Sequence, residues 1–179
     1  MHWRPLTLAL LCVSLLSFSQ SGLAQENSQA STYYLNVKTG SFLPYDIEGV
    51  RDLLPFWGVR FGHGLTPTLA LEYSIDMARA KGVTYNLGSI SLRHDFDIAN
   101  VLPLFILAGL DAHYYKRADA IGEISGDVTS FPSVLTTGWH MGFGTETLIY
   151  GAIYFRSDVR FGFSPGRQLN VSLGLTYRF

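Results

Sequence analysis

The sequence predicts an all-β fold, an eight-stranded antiparallel up-and-down transmembrane β-barrel, and three observations support it. First, the chain of 179 residues is 47% hydrophobic and only 15% charged, against about 25% charged residues in typical soluble domains. Second, apolar and polar residues alternate with a period of two in successive segments, which is the period of a β-strand. Third, the connections between these segments are alternately short and long, which is typical of outer-membrane barrels.

Composition excludes several other classes of protein. Eighteen glycines and a 14% share of aromatic residues exclude a disordered chain, which would be rich in charge and poor in aromatic rings. A net charge of −1 argues against a nucleic-acid-binding protein, which needs a basic face. The single cysteine, Cys12, excludes a disulfide scaffold and a cysteine-based zinc site. The sequence also predicts no cofactor.

The N-terminus has the features of a cleaved signal peptide. Arg4 precedes an apolar stretch from Leu6 to Phe18, and small residues around Ala24 form a cleavage site. A second, weaker cleavage site follows Ala30. The apolar stretch is shorter than the roughly 20 residues of a spanning helix, which argues against an uncleaved anchor. The expected organisation is a signal peptide at 1–24, a short N-terminal segment at 25–31 and a barrel at 32–179.

Eight segments of the remaining chain are predicted strands. Six of them alternate regularly: 33–38, 57–62, 69–78, 138–146, 153–163 and 168–179. The other two are 84–96 and 103–115. In 84–96 the spacing of the apolar residues suggests a bulge after Leu87, and in 103–115 the residues Leu104, Ile106, Ala108 and Leu110 are expected to face lipid. No later stretch is long and apolar enough for a transmembrane helix, so a closed barrel is the remaining way to cross a membrane.

Charge is confined to one face of the six regular strands. The apolar register contains no Asp, Glu, Lys or Arg, and the other register contains all the charges: Lys38, Arg60, Glu72, Asp76, Glu146, Arg156, Asp158, Arg160 and Arg178. A soluble secreted barrel of lipocalin type would also alternate, but its wet face would carry mostly large polar residues. Here the charged face is rich in Gly, Ala and Ser, as a crowded lumen would be, and a charge on a lipid face costs about 2–4 kcal/mol. The pattern favours the membrane barrel.

The lumen of an eight-stranded barrel is just filled by side chains, so its charges are expected to pair. The predicted polar network consists of Arg60, Glu72, Asp76, His140, Glu146, Arg156, Asp158 and Arg160. Residue heights counted from the short turns predict a contact between Glu72 and Arg156. They also predict a contact between Asp76 and Arg160, either direct or through His140. The near balance of charge favours a structural plug over an ion-selective pore.

The chain resembles the small eight-stranded outer-membrane barrels of the OmpX/OmpA type, with which surface-antigen barrels are grouped. The resemblance rests on the last strand, Leu175–Phe179, and on Gly142–Glu146 followed by Phe155–Phe161. It covers nearly all of the predicted mature chain and leaves no room for the periplasmic domain of full OmpA proteins. It implies a monomer in the outer membrane of a Gram-negative bacterium, in contact with lipid and lipopolysaccharide. It also implies that the barrel-assembly machinery reads the last strand, with Tyr177 and Phe179 as the assembly signal.

The resulting functional prediction is a non-catalytic barrel that acts in envelope structure or in surface interaction through its long loops, with an extracellular partner that the sequence does not specify. Two alternatives stay open: a channel for small apolar solutes, as in OmpW, and a lipid A-modifying enzyme such as a deacylase. The deacylase pattern needs a His two residues before a Ser, and this chain has Tyr154-Phe155-Arg156-Ser157 there instead. The lone histidines on separate faces are poor metal ligands, so no metal site is predicted.

Overall fold

The computed structural model describes six parts of the chain: 33–44, 53–80, 83–98, 102–117, 134–163 and 166–179. The predicted signal peptide and the N-terminal segment lie outside these residues, as do most of the two longest predicted loops.

Eight antiparallel strands form one closed barrel, in which each strand pairs with its sequence neighbours and β1 also pairs with β8. The predicted fold class is therefore confirmed. The strands are β1 Tyr33–Pro44, β2 Leu54–Gly64, β3 Leu69–Ala80, β4 Val83–Ile98, β5 Leu102–Arg117, β6 Val134–Tyr150, β7 Ile153–Gly162 and β8 Gln168–Arg178. Several strands extend further into the predicted loops than the alternation indicated; β1, for example, continues to Pro44.

The two ends of the barrel differ in their connections. Residues 65–68, 99–101 and 151–152 join strands at one end, which we call the short-turn end. Both Tyr33, where β1 begins, and Arg178, where β8 ends, lie there. Residues 45–53 and 118–133 connect strands at the opposite end, which we call the long-loop end. At the short-turn end Gly151 has a φ of 55°, a left-handed conformation that favours glycine in so tight a turn.

The outward face is apolar over its whole circumference. Exposed hydrophobic side chains include Trp57, Ile75, Leu110, Phe143 and Leu175. On β5 the residues expected to face lipid do occupy the outward register, because the intervening Phe105, Leu107 and Asp111 are buried. Among strand residues whose side chains the structure describes, Arg79 is the one outward-facing charge, at the long-loop end of β3.

No helix in the described parts of the chain has the length and hydropathy needed to cross a membrane.

The predicted bulge in 84–96 is wrong. Strand β4 pairs without interruption with β3 and with β5, and its alternate residues from Tyr85 to Arg93 are all buried. Tyr85 and Leu87 are apolar residues that point inward, so they mimic a shift of register when only the sequence is read. The irregularity that the structure does contain lies between Leu148 and Tyr150, where the pairing of β6 with β7 shifts.

Six of the inward apolar residues form one cluster that we call the apolar cap: Phe42, Leu54, Phe56, Ala78, Tyr85 and Leu87. They come from the parts of β1–β4 nearest the long-loop end. Phe42 stacks on Tyr85 with 4.5 Å between ring centroids. The apolar cap therefore covers the lumen at the long-loop end, above the polar residues that fill the rest of the barrel.

Candidate functional site: the polar lumen

Below the apolar cap the interior is filled by charged and polar side chains. Among the described residues, the inward cations are matched one for one by inward anions. The cations are Lys38, Arg60, Arg93, Arg156, Arg160 and Arg178, and the anions are Glu72, Asp76, Asp95, Asp111, Glu146 and Asp158. Because burying an unpaired charge is costly, this balance is what a dry interior requires.

Arg156 is the centre of the ionic network. Its guanidinium donates two hydrogen bonds to Glu72, of 2.6 and 3.1 Å, and one of 3.2 Å to Asp158. The carboxylate of Glu146 lies 3.7 Å away. Arg156 and Glu72 are each 1% exposed. A bidentate pair of this kind has both Coulomb energy and fixed geometry, so Arg156 holds three strands in one arrangement.

Further arginines extend this network in both directions. Arg60 donates to both oxygens of Asp158, at 3.0 and 3.3 Å. Arg93 donates to Glu146 at 2.7 Å and to Asp95 at 2.6 Å. The network thus runs continuously from the middle of the barrel to the short-turn end.

An aromatic ring lies between two of these arginines. The guanidinium carbons of Arg93 and Arg156 are both 4.3 Å from the centroid of the Phe105 ring. Such cation–π contacts are strongest when water is excluded, and Phe105 is 1% exposed. Gly144 makes room for the ring, because a Cβ at that position would collide with its far edge.

Inward glycines let side chains meet that are two strands apart. Lys38 on β1, Gly58 on β2 and Asp76 on β3 lie in one register row. Neighbouring strands are about 4.8 Å apart, so Lys38 and Asp76 can meet only because Gly58 has no side chain between them. The Lys38 Nζ to Asp76 Oδ2 distance is 2.7 Å.

The same arrangement occurs in another row of β1–β3. Tyr34, Gly62 and Glu72 are in register, and the Tyr34 hydroxyl donates to Glu72 at 2.5 Å across the glycine. The glycines on the inward face are therefore spaces through which long side chains reach the next strand but one.

A third row connects β4, β5 and β6. Ser91, Gly109 and His140 are in register, and Ser91 Oγ lies 2.9 Å from His140 Nε2. The other ring nitrogen of His140, Nδ1, lies 2.8 Å from Asp111 Oδ1. The acid thus orients the imidazole, and the imidazole is in hydrogen-bond contact with the hydroxyl.

This Ser–His–Asp arrangement has the connectivity of a hydrolase triad. Its setting does not suit catalysis, since Ser91 is 1% and His140 2% exposed. Neither of the two cavities described below is lined by any of the three residues. In a closed barrel the backbone amides are also committed to the strand ladders, which leaves no oxyanion donors aimed at Ser91. The arrangement satisfies buried polar groups.

Ser157, the residue in the deacylase-like stretch, lies in the outward register of β7. Its register partners are Thr145 on β6 and Leu173 on β8. His140 points into the lumen and contacts Ser91 and Asp111 instead. The His–Ser pair in this structure is therefore inside the barrel, not on the face where a lipid A-modifying enzyme would need it.

All eight residues of the predicted network are buried and point inward. The expected contact between Glu72 and Arg156 is present. The expected contact between Asp76 and Arg160 is wrong: Asp76 pairs with Lys38, and Arg160 lies 3.3 Å from Asp158. Nor does His140 connect them. Counting heights from the turns neglects the stagger of a barrel, which brings Lys38 opposite Asp76 across Gly58.

Sequence reasoning missed Arg93 and Asp111 because the registers of β4 and β5 were left open. Both lie on inward positions two residues from other buried polar side chains, Ser91 and His113. Strict alternation read backwards from Arg93 through Ser91 and Ser89 would have found the inward face of β4.

The predicted assembly signal lies at the short-turn end of the seam between β1 and β8. The Phe179 amide donates to the Tyr33 carbonyl at 3.0 Å, and its ring stacks on Tyr33 and Tyr177. Phe179 is 59% and Tyr177 54% exposed. The recognition of these two residues by the assembly machinery stays a prediction.

The described residues contain no group of three His, Cys, Asp or Glu side chains arranged to hold a metal ion.

The architecture is that of the small OmpX/OmpA-type outer-membrane barrels, and comparison with solved structures agrees. The N-terminal barrel of OprF from Pseudomonas aeruginosa superposes with a TM-score of 0.60 at 16% identity, over 82% of this chain and 97% of that one. Neisserial surface protein A superposes with a TM-score of 0.61 at 14% identity, over 85% of this chain and 100% of that one. Ail of Yersinia pestis superposes with a TM-score of 0.52 at 13% identity, over 82% of this chain and 96% of that one.

No family model matches the sequence, and no curated protein matches it. At these identities the structural likeness describes the fold.

The central ion pair can be tested by a double-mutant cycle. Glu72→Gln and Arg156→Met should each lower the free energy of unfolding by about 3–5 kcal/mol, because each removes the shortest ion-pair contact of its buried partner. The double variant should lose less than the sum of the two. Urea unfolding in detergent micelles measures all three, with the exposed Arg79→Met as a control that should change by less than about 0.5 kcal/mol. Strict additivity would contradict the pairing.

The role of the inward glycines can be tested with a matched pair of alanines. At Gly109 a Cβ would lie 2.8 Å from His140 Cε1 and 2.7 Å from Ser91 Cα, whereas at Gly88 it would meet nothing within 4 Å. Gly109→Ala should therefore destabilise the barrel by about 1–3 kcal/mol through overpacking, and Gly88→Ala should not. The same unfolding assay compares them. Equal stability of the two variants would show that the space at Gly109 is not needed.

Proposed function

We propose that this chain is a monomeric, non-catalytic outer-membrane barrel of a Gram-negative bacterium, exported by a cleaved signal peptide. Its lumen is a structural plug, and it acts in envelope structure or in surface interaction through the loops of the long-loop end. Lipid and lipopolysaccharide surround the barrel, and an extracellular ligand of the loops is its proposed partner.

One observation carries this proposal: the distribution of polarity is the reverse of that in a soluble barrel. The interior holds a network of ion pairs around Arg156, while residues such as Ile75, Leu110 and Phe143 stand exposed on the outside. A belt of this size facing water would drive aggregation. In lipid the same belt is favourable, and each strand of the closed barrel pairs with a neighbour on both sides, as a lipid setting requires.

The packing of the lumen favours a plug over a solute channel. A cavity of about 230 Å³ opens at the short-turn end, lined among others by Tyr34, Arg93, Asp95 and Arg178. It stops at Arg93, which is 3% exposed, and behind it Arg60 and Arg156 are 0% and 1% exposed. At the other end the apolar cap covers the lumen. A solute would have to displace both.

The orientation can be tested by cysteine labelling, because the predicted mature chain has no cysteine of its own. Ser125→Cys places a thiol in the 118–133 loop, and Thr68→Cys places one in the exposed short turn. A membrane-impermeant maleimide added to intact cells should label the first and not the second, while both label in lysed cells. Labelling of Thr68→Cys alone in intact cells would show the opposite orientation. Labelling of neither variant in intact cells would contradict the surface exposure of the 118–133 loop.

The plug can be tested by conductance across a planar lipid bilayer. The refolded wild-type barrel should leave the conductance at the level of the bare bilayer, because the fully buried ion pairs leave no continuous water path. A shift in gel mobility between unboiled and boiled samples verifies that the protein used is folded. Discrete, reproducible openings of the folded protein would favour the channel alternative instead.

A further inference from the structure

A small cavity lies at the boundary between the apolar cap and the ionic network. A cavity of about 10 Å³ is lined by Phe42, Phe56, Tyr85 and Leu87 of the apolar cap and by Asp76 and Asn170 of the polar interior. That volume matches the lower limit for holding one water molecule. The cavity lies between β3, which provides Asp76, and β8, which provides Asn170.

Two residues that line this cavity each have a buried side-chain oxygen without a hydrogen-bond partner among the described residues. Asp76 Oδ1 and Asn170 Oδ1 make no hydrogen bond to any described residue. Asp76 is 5% and Asn170 8% exposed, so bulk water does not reach them. Native interiors seldom leave such atoms unpaired, because a buried acceptor that has lost its hydrogen bonds to water and gained none destabilises the fold. Both side chains line the same space, so one small ligand can serve both.

We infer that this cavity is a binding site for a single buried water molecule that donates one hydrogen bond to Asp76 and one to Asn170. The water connects β3 to β8 across the lumen, at the level where the polar interior meets the apolar cap. It differs from the contacts made across glycines, which join strands only two apart. If the Asn170 amide is turned the other way, water still fits, because it accepts as well as donates.

Charge argues for water over a metal cation, although two oxygens and three aromatic rings could also attract an ion. The other oxygen of Asp76 already lies 2.7 Å from the Lys38 ammonium. Arg160 is the register partner of Asn170 on β7. A further positive charge between Lys38 and Arg160 would upset the balance of the lumen, whereas a neutral ligand leaves it unchanged.

The neighbouring polar atoms also favour an amphoteric ligand. Gln168 Nε2 and Arg160 Nη2 are buried donors without a hydrogen-bond acceptor among the described residues. Gln168 lies on β8 two residues before Asn170, on the same inward face. The interior around β8 thus contains both unpaired donors and unpaired acceptors, and water is the small molecule that can satisfy both kinds.

Nuclear magnetic resonance of the folded barrel in detergent micelles tests this inference. A long-lived water should give cross-relaxation from the water signal to the ring protons of Phe42 and Phe56, which line the cavity. The ring of Phe105 is an internal control, because it is equally buried but packed between two guanidinium groups. Water contacts at Phe42 and Phe56 with none at Phe105 would support the site. Their absence at Phe42 and Phe56 would overturn it.

Two variants and a salt titration sharpen the test. Asn170→Leu removes one partner and fills part of the space, so the water contact at Phe42 should fall to the level of Phe105. Ser172→Ala, at the next inward position on β8, should retain the water contact at Phe42.

A salt exchange tests for a cation. Replacing choline chloride with sodium chloride should leave the Asn170 side-chain amide signal unchanged. A saturable shift with sodium would show that a cation occupies the cavity and would overturn the assignment of water.

Discussion

The interior of an eight-stranded barrel is so narrow that the positions of its inward glycines decide which of the other inward side chains can contact each other. A large inward residue on every strand would leave no room for any of them. Gly58, Gly62 and Gly109 each leave a gap, and in each case the residues on the two flanking strands close over it. The Lys38–Asp76 ion pair, the Tyr34–Glu72 hydrogen bond and the buried contact between Ser91 and His140 all depend on these gaps.

This constraint also explains how much of the lumen could be predicted. Alternation of polar and apolar residues was enough to place eight network residues inside, because a charge on the lipid face is costly. Residue heights counted along the strands were enough to predict the contact between Glu72 and Arg156. They were insufficient for Asp76, whose partner depends on the stagger between β1 and β3 and on the gap at Gly58. Stagger is a property of barrel closure, and a single sequence contains no direct measure of it.

Two apolar residues, Tyr85 and Leu87, misled the reading of β4 for a related reason. A period-two pattern assumes one polar and one apolar face along the whole strand. In this barrel the inward face of β4 changes from apolar to polar partway along, where the apolar cap ends.

The hydrogen-bonded group of Ser91, His140 and Asp111 shows a different limit of pattern reading. Hydrogen-bond connectivity alone does not define an active site, because the same groups in a packed interior have no space for a reacting molecule.

The inward ion pairs have a consequence for the way this barrel reaches its membrane. Arg60 and Glu72 on β2 and β3 find Arg156 and Asp158 on β7 only after the sheet has curled and β1 has met β8. In a flat, half-built sheet the Arg60–Asp158 and Arg156–Glu72 ion pairs would be unmade, and only the contacts within β2–β3 and within β7 could form. Insertion of single strands into lipid would therefore carry the cost of these unmade pairs. The cross-lumen pairs thus link the stability of the polar interior to closure of the seam between β1 and β8.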